Sequence, residues 1–148
     1  MLIVVDARWI FKELSGIGLY TRELIRNLPQ IDSENSYYLI FDDTAVMERE
    51  KVETGFGDAA NFTPKIVNYG VFSPIGQVRL PNLLYRLKAD IFHSPNYMIP
   101  FIAFPRHKFG RTACVVTIHD LIPLIFPHYT PRALKTRFFP VFKRVMCE

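Results

Sequence analysis

The sequence predicts an α/β domain built on a doubly wound parallel sheet. Two observations carry the prediction: short, nearly all-apolar runs that end in polar residues, and stretches of helical periodicity that alternate with them. A strand covered by helices on both faces is apolar throughout, whereas a strand solvated on one face alternates. The chain shows no internal repeat, no low-complexity segment and no internal domain boundary.

The elements follow in order. LIVVDA (residues 2–7) is the first strand, ending in a carboxylate. From Ile17 the apolar residues Ile17, Tyr20, Leu24, Ile25 and Leu28 keep helical spacing, with Ser15 as N-cap and Pro29 just past the last turn. YYLIF (37–41), between Ser36 and Asp42, is the second strand and completes a βαβ unit. Residues 44–62 are polar and show no decisive period. KIVNY (65–69) reads as a third strand. Residues 75–90 have helical periodicity at Val78, Leu80, Leu84 and Leu87, with Pro81 near the first turn or at a kink. DIFHSPN (90–96) is a strand whose exit carries His93 and a Ser-Pro-Asn turn. Prolines and aromatics make residues 97–110 irregular. CVVTIHD (114–120) is a further buried strand, exiting at His119-Asp120, and residues 121–131 form an apolar loop punctuated by proline. From Pro131 onward the sequence is still helical at its last residue, without a cap or glycine stop, so the expectation is a truncated chain.

Composition narrows the function classes. A chain of 148 residues with 49% hydrophobic and 22% charged residues is long and apolar enough for one well-cored domain, which excludes disorder. The net charge of +4 suits an anionic membrane surface or a phosphorylated ligand, and no nucleic-acid motif accompanies it, so no nucleic-acid partner is expected. Cys114 and Cys147 lie far apart with no CxxC partner, which points to neither zinc nor a disulfide framework and makes a reducing compartment the default. No signal peptide and no apolar run of about 18 residues is present, so the expected location is cytoplasmic, with peripheral contact at the inner face of a membrane as an option. The basic, aromatic segments 105–111 and 131–144 could rest on anionic headgroups; the plainer reading of the second is an amphipathic helix covering the sheet, kinked at Pro140.

In open parallel sheets ligands bind beyond the carboxyl ends of the strands. Three features fall there: the Gly16-Ile17-Gly18 loop, His93, and His119-Asp120. Amides at a helix start face an anion, and glycine lets a ligand approach the backbone. The loop is not GxGxxG, since Thr21 holds the third glycine's place, and it follows the first strand by about ten residues rather than at once. At a strand exit His119 can donate to or accept from a ligand hydroxyl, while Asp120 fixes its ring or binds substrate itself. A metal site of His93, His119 and Asp120 matches no ligand spacing, so neither metal nor cofactor is expected. His107 and His128 read as solvated loop residues.

VVDAR…SGIGLYTREL, DIFHSPNYMIP and VVTIHDLIPLIFP…TPRALK, in that order and spanning nearly the whole chain, resemble the N-terminal domain of the group 1 glycosyltransferases, classified as family 4. That resemblance implies a GT-B fold, two Rossmann-like domains facing a cleft, of which residues 1–148 are most of the acceptor-side domain. The donor-binding C-terminal domain, with the family's paired glutamates, would be absent, and the chain alone inactive. It further implies transfer of a sugar from a nucleotide-sugar co-substrate to a glycan or lipid-linked acceptor, with retention and without a metal ion, in polysaccharide or cell-envelope biosynthesis. His119 matches the family's active-site histidine, and Gly16 and Gly18 its loop against the donor phosphates or the acceptor. Two other readings stay open: a dinucleotide-binding oxidoreductase domain, and a non-catalytic module binding a sugar or lipid headgroup.

Overall fold

The computed structural model describes residues 1–104, 110–126 and 128. Strands β1 (Leu2–Asp6), β2 (Ser36–Phe41), β3 (Phe62–Ile66), β4 (Ile91–Ser94) and β5 (Ala113–Val116) form one sheet in the order β3-β2-β1-β4-β5, every pair parallel. The intervening helices are α1 (Gly16–Ile31), α2 (Thr44–Thr54) and α3 (Gly76–Leu87), and a short α4 (Ile122–Ile125) follows β5. Adjacent residues of the central strand serve opposite faces. Val5 packs with Ile25 of α1 and Val46 of α2, whereas Val4 packs with Leu80 and Leu84 of α3. The sheet is therefore doubly wound, as the sequence predicts. Its order reverses at β1, which pairs Val5 with Leu39 on one side and with His93 on the other. A crevice opens at the carboxyl ends of strands on either side of such a reversal.

Several boundaries differ from the sequence reading. Pro29 lies inside α1, which continues to Ile31. The missing N–H costs one bond in the last turn, and the chain stops only at Asp32, whose carboxylate accepts from the amides of Glu34 and Asn35 and from Tyr37 Oη. The third strand starts at Phe62 rather than Lys65, because β3 is the edge of the sheet and tolerates Pro64 there. Val67 and Tyr69, which suggested a strand, are instead buried under α3. Residues 44–54 form α2, which Asp43 caps by accepting from the amides of Ala45 and Val46 and which Gly55 ends at φ 74°. The last strand stops at Val116, so His119 and Asp120 lie beyond it in a loop, and four residues read as irregular form α4. Residues 105–109 and 131–148, which include both basic, aromatic segments but for Gly110 and Arg111, lie outside the described residues, as does His107. His128 is exposed. No described helix is long and apolar enough to cross a membrane.

Candidate functional site

The reversal point is anchored by charge. Asp6, the last residue of β1, accepts two hydrogen bonds from the Arg8 side chain, Nε to Oδ1 and Nη2 to Oδ2, both at 2.7 Å, and both side chains are buried. Burial opposes the Arg8 charge, but the Asp6 carboxylate outweighs it and holds the guanidinium pKa above its ordinary value. Nη1 reaches past the pair to donate to the carbonyls of Tyr69 and Gly70 at 3.2 and 3.4 Å. One side chain thus ties the exit of β1 to the loop before α3.

From there the chain runs through a 3-10 turn, Ala7–Trp9, into the loop that ends at α1. Arg49 of α2 secures that loop by donating to the carbonyls of Lys12 and Phe11 at 2.8 and 3.0 Å. Ser15 caps α1, its Oγ accepting from the Gly18 amide at 3.2 Å. The amides of Gly16 and Ile17 keep no acceptor among the described residues, so the helix start still presents two donors. The two glycines differ. A Cβ on Gly16 would meet nothing within 4 Å, whereas one on Gly18 would lie 3.2 Å from the Trp9 carbonyl oxygen. Gly18 is thus bare because the protein's own backbone fills the space, and only Gly16 leaves room for a ligand. Thr21, in the third-glycine position, is buried and bonds back to Ile17 O at 2.8 Å.

Tyr20 joins this helix start to the other two strand exits. Its Oη lies 3.0 Å from Thr117 Oγ1, just past β5, and Thr117 Oγ1 lies 3.1 Å from His93 Nε2. The Tyr20 ring also meets the His119 imidazole edge-on, with centroids 5.1 Å apart. Tyr20, Thr117, His93 and His119 are therefore one cluster. His93 sits within β4, at its third residue, not at its exit, and burial lowers its pKa, so it is held neutral. His119 is exposed, and its Nε2 lies 2.8 Å from the carbonyl oxygen of Pro95. A carbonyl only accepts, so Nε2 carries the hydrogen and Nδ1 is the ring nitrogen left to face a ligand. Pro95, not Asp120, orients this ring. Asp120 is exposed and accepts from the Ile122 amide at 3.0 Å, and its charge adds to burial in raising the Tyr97 pKa.

The structure thus brings His93 and His119 together around two residues that the sequence did not single out, Tyr20 and Thr117. Tyr20 reads as a core position in the helical pattern; the buried face of α1 is in fact Gly18, Thr21, Arg22 and Ile25, which turns Tyr20 toward β5. No spacing rule links Tyr20 to Thr117 across so much chain. Among the described residues no three His, Cys, Asp or Glu side chains are grouped to hold a metal ion, and the two histidine Nε2 atoms face Thr117 and Pro95. Residues 14–148 match the family described as Glycosyltransferase Family 4. No curated protein and no solved structure matches the chain.

Proposed function

The chain belongs to glycosyltransferase family 4, and from that premise we propose that it is the acceptor-side, Rossmann-like half of a GT-B enzyme whose donor-binding half is a second domain. The enzyme transfers a sugar from a nucleotide-sugar donor to a hydroxyl of a glycan or lipid-linked acceptor, with retention, in polysaccharide or cell-envelope synthesis at the cytoplasmic side of a membrane. No metal ion or cofactor takes part. The observation that supports this reading best is the Tyr20–Thr117–His93 chain with His119 against the Tyr20 ring, which gathers hydroxyl-binding groups at the sheet reversal, beside a helix start with two open amides.

In this mechanism Gly16 lets the sugar-phosphate region lie against the amides of Gly16 and Ile17, where the α1 dipole favours negative charge. His119 accepts a hydroxyl of the reacting sugar or acceptor at Nδ1, while its Nε2 stays fixed on Pro95 O. Tyr20 and Thr117 orient neighbouring hydroxyls, and Asp120 binds substrate from the rim. Gly18 contributes by allowing the helix to start close to Trp9. Positioning and stabilisation of the departing diphosphate supply most of the rate.

The test is a transfer assay on the enzyme that contains this chain together with its second domain, using a panel of nucleotide sugars. The expected result is nucleoside diphosphate release coupled to glycoside formation, with proton NMR showing the donor's anomeric configuration kept in the product. Inverted product would remove retention from the reading. Absence of any transfer, together with tight binding of a nicotinamide dinucleotide, would return the oxidoreductase reading.

A further inference from the structure

A second concave surface lies at the far edge of the sheet from the histidine cluster. It is a groove of about 440 Å³ between the residues that leave β3 and the exposed side of α3, lined by Asn68, Tyr69, Arg79, Asn82, Leu83 and Arg86 among others. Strand β3 is two strands away from β1, and no residue of the Tyr20–Thr117–His93–His119 cluster lines the groove. Its volume falls in the range of small-molecule sites, about 300–1,000 Å³.

The charge in the groove is of one sign. Arg79, Asn82 and Arg86 stand three and four residues apart on α3, so all three project on one side of the helix. No carboxylate lines the groove, and neither arginine is in an ion pair among the described residues. By contrast Arg8, Arg22, Arg26 and Arg49 are all paired with acids. Arg79 is nevertheless held in place: its Nη1 donates to Asn68 Oδ1 at 2.7 Å, a neutral acceptor that fixes the guanidinium without cancelling its charge. Tyr69 is fixed as well, with the Arg8 guanidinium 5.3 Å over its ring and its own carbonyl bonded to Arg8. The groove therefore combines a rigid apolar floor, two carboxamides suited to hydroxyls, and two uncompensated guanidinium forks.

We propose that this groove binds a phosphate-bearing, hydroxyl-rich ligand of sugar size, the phosphate taken by Arg79 and Arg86 and the hydroxyls by Asn68 and Asn82. Planar guanidinium forks match phosphate oxygens in pairs, which an ammonium does not. The phosphate belongs either to a soluble sugar phosphate or to a lipid headgroup, and the assignment stands apart from the transferase reading because it uses none of that site's residues.

Calorimetric titration of the 148-residue chain with glucose 6-phosphate, inorganic phosphate and glucose tests it, beside co-sedimentation with phosphatidylglycerol and phosphatidylcholine vesicles. The expected result is binding of glucose 6-phosphate but not glucose, weakened at least tenfold in R79Q/R86Q, with an unchanged circular dichroism melt. Both arginines are exposed, so the double variant should fold; if it does not, R86Q alone serves, since Arg86 makes no hydrogen bond or ion pair among the described residues. Sedimentation with phosphatidylglycerol alone, lost in the variant, would support the groove and assign the phosphate to a lipid. Equal binding by wild type and variant, or no binding by any probe, would overturn the proposal.

Discussion

An added Cβ on Gly18 would press on the Trp9 carbonyl at 3.2 Å, while one on Gly16 would enter open space. Overpacking against backbone outweighs the helix propensity that alanine brings, so Gly18→Ala should lower stability by about 1 kcal/mol. Gly16→Ala should leave stability within about 1 kcal/mol of wild type yet weaken substrate use, because its methyl group fills the space left for a ligand. Chemical denaturation and KM measured on the same preparations separate the two; equal stability losses would mean both glycines serve the loop alone. His119 is bonded through one nitrogen to a carbonyl and is otherwise exposed, so His119→Ala should cost the two-domain enzyme about a hundredfold in turnover with little change in melting temperature. A sharp fall in melting with unchanged turnover would make it structural. His93 gives a pH signature. Its burial lowers its pKa below the ordinary 6.5, so the unfolded chain takes up the proton first as the solution is acidified. Stability should therefore be lost as pH falls from about 7 through 6.5 to the folded pKa, and His93→Gln, which keeps a bond to Thr117 available, should flatten that part of the profile. The lowered carboxylates Asp32 and Asp43 act only below their ordinary 3.8, whereas burial raises the Asp42 pKa, so that carboxylate adds stability as pH falls, opposite in sign to His93.

Among the elements, the α1–α2 contact rests on charge. Glu50 is fully buried and accepts from Arg22 at 2.8 and 2.6 Å and from Arg49 at 2.9 Å, while Arg22 also pairs with Glu53 at 2.7 Å. Glu50→Ala would strip Arg22 of its two buried bonds, leaving it only the more exposed Glu53, and should destabilise the fold by about 3 kcal/mol. It should also loosen the loop before α1, since Arg49 holds Phe11 and Lys12 there; thermal melts and amide exchange at residues 11–18 measure both effects. A variant as stable as wild type would show that α2 is held by Val46 and Phe56 instead. The same contact explains why α2 was illegible. Its sequence, TAVMEREKVET, has few apolar residues to set a period, and the partners of its buried glutamate lie on another helix. Strands β1, β2 and β4 were legible because burial on both faces demands continuous apolar runs. Edge strands β3 and β5 are half-exposed, so their apolar signal is diluted and their limits drift by several residues. Of the candidate residues read at single positions, His93 and His119 are grouped in the structure and Gly16 faces open space. Tyr20 and Thr117 enter that group only through a long-range contact, and Gly18 turned out to serve packing.

For the molecule as a whole, the decisive question is where positive charge for a departing diphosphate would come from. Near the proposed site the described cations are already engaged: Arg8 with Asp6, Arg22 and Arg49 with Glu50, and Lys12 with Asp43 at 3.5 Å. Among the described residues there remains the start of α1, with the amides of Gly16 and Ile17 and a helix dipole effect of about 0.3–1 kcal/mol. Enzymes that expel a diphosphate use arginine, lysine or metal clamps aimed at the charge that develops, and one such donor alone is worth about 3–4 kcal/mol. The arginines of the outer groove stand on α3 beside the exit of β3 and line no part of the Tyr20–Thr117–His93–His119 cluster. The described residues of the proposed site therefore offer groups to orient a hydroxyl and only the α1 start to meet the leaving group. Incubated alone with nucleotide sugars and glycan or lipid-linked acceptors, it should release no nucleoside diphosphate above the uncatalysed background over hours, measured by ion-exchange chromatography. Adding the second domain in the same polypeptide should restore turnover, and that turnover should fall in His119→Ala. Steady transfer by the purified 148-residue chain would mean that its own residues complete the clamp and that the division of labour proposed between two domains is wrong.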